Sequence, residues 1–137
     1  MIAITPPIVT AIAAGVLILL QTGLGLAVTL VRRRMKQSLG DGGNAELLAA
    51  IRRHGNLAEN AALFIAGLGL LEMLGGLRLF VELLAGLFIL ARISHAVGMS
   101  LKPPLNLLRV GGVVVTVGVA LTLSWRLLAL SIPLLQR

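Results

Sequence analysis

The segment Arg52-Arg53-His54-Gly55-Asn56-Leu57-Ala58-Glu59 concentrates groups able to bind or react. On a helix turning 100° per residue, Arg52, Asn56 and Glu59 fall within roughly 60° of one another, so a cation, an amide and an anion form one polar stripe. Such a stripe either grips a ligand carrying both charges or closes a buried structural ion-pair network, and spacing alone does not choose between them. Farther along, Arg92 and His95 stand three residues apart and share a helix face. Glu59 needs a cation and Arg92 an anion, which predicts an ion pair between them. His95 reads first as a hydrogen-bonded core histidine, and His54 points away from the Arg52 stripe. Two such histidines fall short of the three or four ligands zinc requires, so no metal site is predicted. Arg109, followed by Gly111 and Gly112, is either a snorkelling arginine or a cation at the mouth of a cleft. In the second case it would hold a carboxylate, or lower a thiol pKa from about 8.5 by favouring the thiolate.

The elements that carry these residues are helices in a membrane. The chain has 137 residues, room for a single domain, and is 58% hydrophobic and only 12% charged, against roughly 25% charged in soluble proteins. With a mean hydropathy of +1.01, it is predicted to be all-α, an integral membrane four-helix bundle. Residues 8–31 carry no charge and rise roughly 36 Å, enough to cross the hydrocarbon with some tilt, and Pro6-Pro7 suits the helix start. Arg32 to Asn44 is a polar loop whose Gly40-Asp41-Gly42-Gly43 reverses the chain. A second helix over 44–74 takes Asn44 as its cap; its charged first half cannot face lipid. Gly75-Gly76 makes a turn into a third helix, 79–101, which Pro103-Pro104 ends. The fourth helix covers 105–130, with Arg126 near its end placed to snorkel.

The net charge of +7 does not indicate nucleic acid, because the basic residues are not interleaved with aromatics: there are one Trp, three Phe and no Tyr. The cluster Arg32, Arg33, Arg34 and Lys36 instead marks a cytoplasmic loop, so a multi-pass chain would have both termini on the non-cytoplasmic side, in the inner membrane if the cell is bacterial. The first apolar run is longer than a signal-peptide core and reads as a retained anchor. With no cysteine, thiol chemistry has to come from a ligand. Small residues four apart, such as Ala11 with Gly15, Ala62 with Ala66 and Gly112 with Thr116, suit close helix packing. Oligomerisation would cover the polar face of the second helix.

Taken together, Arg52-x-His54-x-Asn56-x-x-Glu59, the Gly-Asp-Gly-Gly loop before it, Arg92-x-x-His95-x-x-Gly98 and Leu108-Arg109-x-x-Gly112 resemble the membrane-associated proteins in eicosanoid and glutathione metabolism, the MAPEG superfamily. The resemblance runs from about residue 10 to 130 and is nearest to the bacterial-type, microsomal glutathione transferase-like members. It implies a homotrimer with glutathione as cosubstrate in a cytoplasm-facing cleft between subunits. It also implies that Arg52, Asn56, Glu59 and His95 hold the tripeptide, that one of Arg32 to Arg34, taken as Arg33, assists, and that Arg109 stabilises the thiolate. The activity implied is that of a transferase or peroxidase acting on hydrophobic electrophiles or lipids from the bilayer. The chain departs from the family pattern at Met99, where a tyrosine is frequent, and at Asn60, Ala61 and Ala62, where an aromatic and a proline are common. These departures suit an alternative, a non-catalytic member binding lipid or thiol as an interaction or structural module. A small multidrug exporter would need a carboxylate within the first helix, and residues 8–31 contain none.

Overall fold

The computed structural model describes residues 6–103 and 105–136. Four helices follow one another: α1 Ile8–Met35, α2 Ala45–Met73, α3 Arg78–Gly98 and α4 Leu107–Ser131, with a 3-10 turn Ile132–Gln136 closing the chain. Among the described residues there is no strand.

The ends of these helices are set by local chemistry. α1 continues past Val31 through the arginine cluster, where Arg32, Arg33 and Arg34 occupy its last turn and meet the negative end of the helix dipole. Lys36 then takes a left-handed conformation (φ 52°), and Arg32 Nη1 donates to the loop carbonyls of Gln37, Ser38 and Gly40. Gly40, Gly42 and Gly43 all have positive φ, the reason this turn is built of glycine. Asn44 caps α2 by accepting from Leu47 N at 3.0 Å, and Arg34 pairs with Glu46 across the loop. α3 stops at Gly98, ahead of Pro103; its expected partner in ending the helix, Pro104, lies outside the described residues. α4 starts at Leu107 because Asn106 caps it, accepting from Arg109 N at 3.1 Å while its amino group holds Gly98 O at 2.8 Å.

The start of α1 has no such local cap. The first backbone N–H groups of a helix lack intrahelical partners and favour an anion. Glu72, near the far end of α2, supplies it: its carboxylate accepts from Val9 N at 2.9 Å, Thr10 N at 2.8 Å and Thr10 Oγ1 at 2.7 Å. α1 and α2 are therefore antiparallel and clasped at this end. The core lies between the helices, with Leu57, Phe64, Leu68, Leu71, Val81, Leu84, Phe88 and Leu123 buried. α1 buries only Thr10, Ala13 and Leu17 and turns the rest of its apolar surface outward.

α1, α3 and the stretch Leu107–Leu135 are each long and apolar enough to cross a membrane. α2 is as long but carries Glu46, Arg52, Arg53, His54, Glu59 and Glu72. α3 and α4 meet almost backbone to backbone. A Cβ on Gly112 would stand 2.7 Å from Ala91 O, and one on Gly98 would stand 2.5 Å from Arg109 N. The small residue that the sequence spacing marked at 112 thus lies at a point of close approach on an interhelical seam.

Two stability predictions follow from these contacts. Glu72→Ala lowers stability by about 1–2 kcal/mol, the range for losing a helix cap and charged hydrogen bonds, and Thr10→Ala costs less, as read by thermal melting in detergent. Gly112→Ala lowers the melting temperature because the clash is with backbone, whereas Gly118→Ala, with nothing within 4 Å of its added Cβ, leaves it unchanged or raises it. Equal effects of the two glycine substitutions would dismiss the seam.

Candidate functional site

The Gly112 seam brings α4 close enough for a side chain of α3 to reach its carbonyls. Arg92, 3% exposed, extends from α3 between α2 and α4. Its Nη1 donates to Asn56 Oδ1 at 2.6 Å and, at a long 3.5 Å, to Asn56 O; its Nη2 donates to Thr116 Oγ1 at 2.6 Å and Gly112 O at 3.3 Å. The Thr116 hydroxyl passes its own proton to Gly112 O at 2.7 Å. The guanidinium carbon also lies 5.9 Å from the centre of the Phe88 ring, which stacks on Phe64 at 3.8 Å. One buried cation thus ties three helices together.

The expected ion pair between Glu59 and Arg92 does not form within the chain. The ion pairs among the described residues are Arg34–Glu46 and Arg78–Glu82. Neutral oxygens on α2 and α4 already take the Arg92 Nη donors. Glu59 instead remains exposed and lies over Gly55, where an added Cβ would stand 3.9 Å from its Oε1. There its carboxylate keeps its hydration, which burial beside Arg92 would strip away.

Two adjoining cavities open between α2 and α4. The smaller one, about 100 Å³, is lined by Asn56, Asn60, Arg92, Val113, Thr116 and Val117. The larger one, about 250 Å³, shares Asn60 and Thr116 and adds Glu59 and Ser124 to an apolar wall that includes Phe64 and Phe88. The Asn56 amino group and the Glu59 carboxylate have no partner among the described residues, nor does exposed Arg52 one turn away. The structure therefore gathers Asn56, Glu59 and Arg92 around one groove that can offer donors and acceptors to a ligand.

The remaining predicted residues lie toward the basic end of the bundle. His95 is buried on α3, with Nδ1 3.2 Å from Arg109 O; since a carbonyl only accepts, Nδ1 carries the proton. This contact with the Arg109 backbone holds the first turn of α4 against α3. His54 packs on Gly25 of α1, away from the groove. Arg32 and Arg34 are occupied in the loop, while the exposed Arg33 is bound to nothing among the described residues. Arg126 folds over Phe80, its guanidinium carbon 5.3 Å from the ring centre, instead of stretching outward. No group of three or more His, Asp or Glu side chains able to hold a metal occurs among the described residues.

Asn60 and Ser124 were not singled out as ligands from the sequence, and Thr116 appeared there only as a packing residue. The available signal was the four-residue spacing from Asn56 to Asn60, which extends the polar stripe by a turn.

The model of the MAPEG family matches residues 10–129. No curated protein and no solved structure matches the chain. The match runs from the first turns of α1 almost to the end of α4, through every residue of the groove, and the chain belongs to the MAPEG family of membrane proteins.

Proposed function

We propose that this protein is a glutathione-dependent transferase or peroxidase for hydrophobic electrophiles, with Arg109 stabilising the glutathione thiolate. The observation that carries the reading is the α2–α4 groove, where a carboxylate and an open amide lie beside a buried cation, neither charge having an ion-pair partner among the described residues. Glutathione fits such a donor set: its carboxylates suit Arg52 and Asn56, and its ammonium suits Glu59. Arg33 and His95 complete the proposed binding set, His95 by holding the first turn of α4 in place.

Bound glutathione supplies the thiol. Arg109, half-buried at the start of α4, favours the thiolate by charge, and the bilayer concentrates the apolar electrophile beside it. We take the assembly to be a homotrimer with the cleft between subunits. Support for an oligomer comes from the sparsely buried α1 and from the open groove of about 390 Å³ between α1 and α2, beside which Gln21 Oε1 is buried with no partner. The clustered Arg32, Arg33, Arg34 and Lys36 support a topology with their end of the bundle in the cytoplasm, all four helices crossing and both termini outside. In a bacterial cell this is the inner membrane.

A second reading, a non-catalytic member that binds thiol or lipid, is favoured by one feature: the chain has no tyrosine, and Met99 follows His95 by one turn. Catalysis and binding separate in the same experiment.

Glutathione added to purified protein is expected to show the ultraviolet thiolate band below the ordinary thiol pKa of about 8.5. Arg109→Ala moves that titration upward, since the cation that favoured the anion is gone, and the thiolate fraction at neutral pH falls about tenfold for each pH unit moved. A missing band, or one unchanged by Arg109→Ala, removes the mechanism; thermal stabilisation by glutathione with no turnover of any electrophile selects the second reading. Glu59→Gln is expected to weaken glutathione binding by about tenfold, the scale of one charged hydrogen bond, measured by calorimetry, and an unchanged affinity would remove Glu59 from the site.

A further inference from the structure

At the end of the bundle opposite the arginine cluster, α1 and α3 run side by side without filling the space between them. The residues that line its floor are small: Ala13 and Ala85, both buried, and Gly86. Ile8 and Ile12 of α1 and Ile89 of α3 wall an open groove of about 270 Å³ above them. A Cβ added to Gly86 would meet nothing within 4 Å, so no described part of the chain closes the hollow there. Along α3 the groove extends from Arg78 to Ile89, a rise of roughly 17 Å, close to the roughly 15 Å depth of one hydrocarbon leaflet.

The groove is apolar along its length and charged at its mouth. Arg78 is the first residue of a helix able to cross the membrane, which places it at headgroup level. α3 has no side-chain cap, so the positive end of its dipole adds to the arginine charge. Arg78 Nε donates to Glu82 Oε1 at 2.8 Å. That bond leaves the Nη edge of the guanidinium, and Glu82 Oε2, without partners among the described residues. Two parallel N–H donors match two oxygens of a phosphate, and a carboxylate oxygen beside them accepts from an ammonium.

We propose that this groove holds a structural phospholipid with a primary-amine headgroup, one acyl chain between α1 and α3, its phosphate on the Arg78 Nη edge and its ammonium on Glu82. A head of purely negative charge would be repelled by Glu82, and a quaternary ammonium has no N–H to give it. Seated there, the lipid supplies packing to α1, the helix that buries least of its own surface, beside the clasp made by Glu72. The site shares no residue with the α2–α4 groove and does not depend on the proposed function.

The test titrates delipidated full-length protein in detergent with phosphatidylethanolamine, phosphatidylcholine or phosphatidylglycerol of identical acyl chains. Bound lipid is read by native mass spectrometry and stability by thermal melting. Wild type is expected to bind phosphatidylethanolamine about two- to fivefold more tightly than the other two, the scale of an exposed charged contact, and to melt highest with it. Gly86→Leu fills the groove from an open position, so it loses the bound lipid and its stabilisation while the lipid-free melting temperature is unchanged or raised. Gly118→Leu, equally open but on α4, keeps both. Arg78→Gln weakens all three lipids, and Glu82→Gln removes the preference for phosphatidylethanolamine. Lipid binding and stabilisation that survive Gly86→Leu, or a wild type that no lipid stabilises, overturn the site. A wild type that prefers phosphatidylglycerol or phosphatidylcholine, or a Glu82→Gln protein that keeps the wild-type preference, overturns the headgroup assignment.

Discussion

The Nη donors of Arg92 are met by protein, because a guanidinium buried among membrane helices has little water to turn to. That requirement reaches into three helices at once. α2 must present an acceptor at Asn56, and α4 must present a hydroxyl at Thr116 and a carbonyl at Gly112. The Gly112 carbonyl is within reach only because position 112 carries no side chain to hold α4 away from Ala91 and His95. Asn56, Gly112 and Thr116 thus answer to one buried charge, and the groove opens beside them between α2 and α4.

The opposite end of the bundle is closed by a charge of the other sign. Lipid tails are as apolar as leucine side chains, so burial of apolar surface does little to hold α1 on α2. Glu72 does so by accepting two backbone N–H groups that would otherwise face hydrocarbon unsatisfied. An anion at the start of α1 and arginines in its last turn both oppose the helix dipole favourably. α1 is nonetheless the least embedded helix, joined to α2 also by a weak Gln21 to His54 carbonyl bond at 3.4 Å and by contact of Gly25 with the His54 ring. Its remaining surface is left for lipid or for a neighbouring subunit.

What was legible in the sequence was what neighbouring residues decide. Asn44 reads as a cap because its carboxamide reaches a backbone N–H three residues on, and Gly40 to Gly43 read as a turn because their backbone angles need glycine. The polar stripe of α2 followed from helical periodicity, and the MAPEG resemblance drew on motifs spread over α2, α3 and α4. Glu72 was invisible, since its partners lie more than sixty residues away and nothing local marks a carboxylate as the cap of another helix. Three helix ends differ from the expected ones by two residues or more: α1 runs four residues past Val31, α3 stops at Gly98, three residues before Leu101, and α4 starts two residues after Leu105. Polar side chains set the α1 and α4 ends: the arginines of the last turn extend α1, and Asn106 caps α4. Asn60 entered the sequence reading only as a departure from the family pattern, because a single amide beside an apolar run resembles a surface residue.

The expected pair of Glu59 with Arg92 was an argument from charge, and its failure explains why the groove remains open. Had the two met, they would have cancelled one another at the site, each holding the donors or acceptors that the other needed, and a ligand would have to break a buried pair to enter. Because neutral oxygens take the Arg92 Nη donors instead, its positive charge persists on one side of the groove and the Glu59 carboxylate persists on the other. A ligand that carries both signs meets each without displacing a charged partner from the other. Such a ligand also lowers the cost of burying Arg92, so its binding should favour the folded bundle as any ligand of the native state does. Separation of the two charges, more than the presence of either, is what suits this groove to a zwitterion.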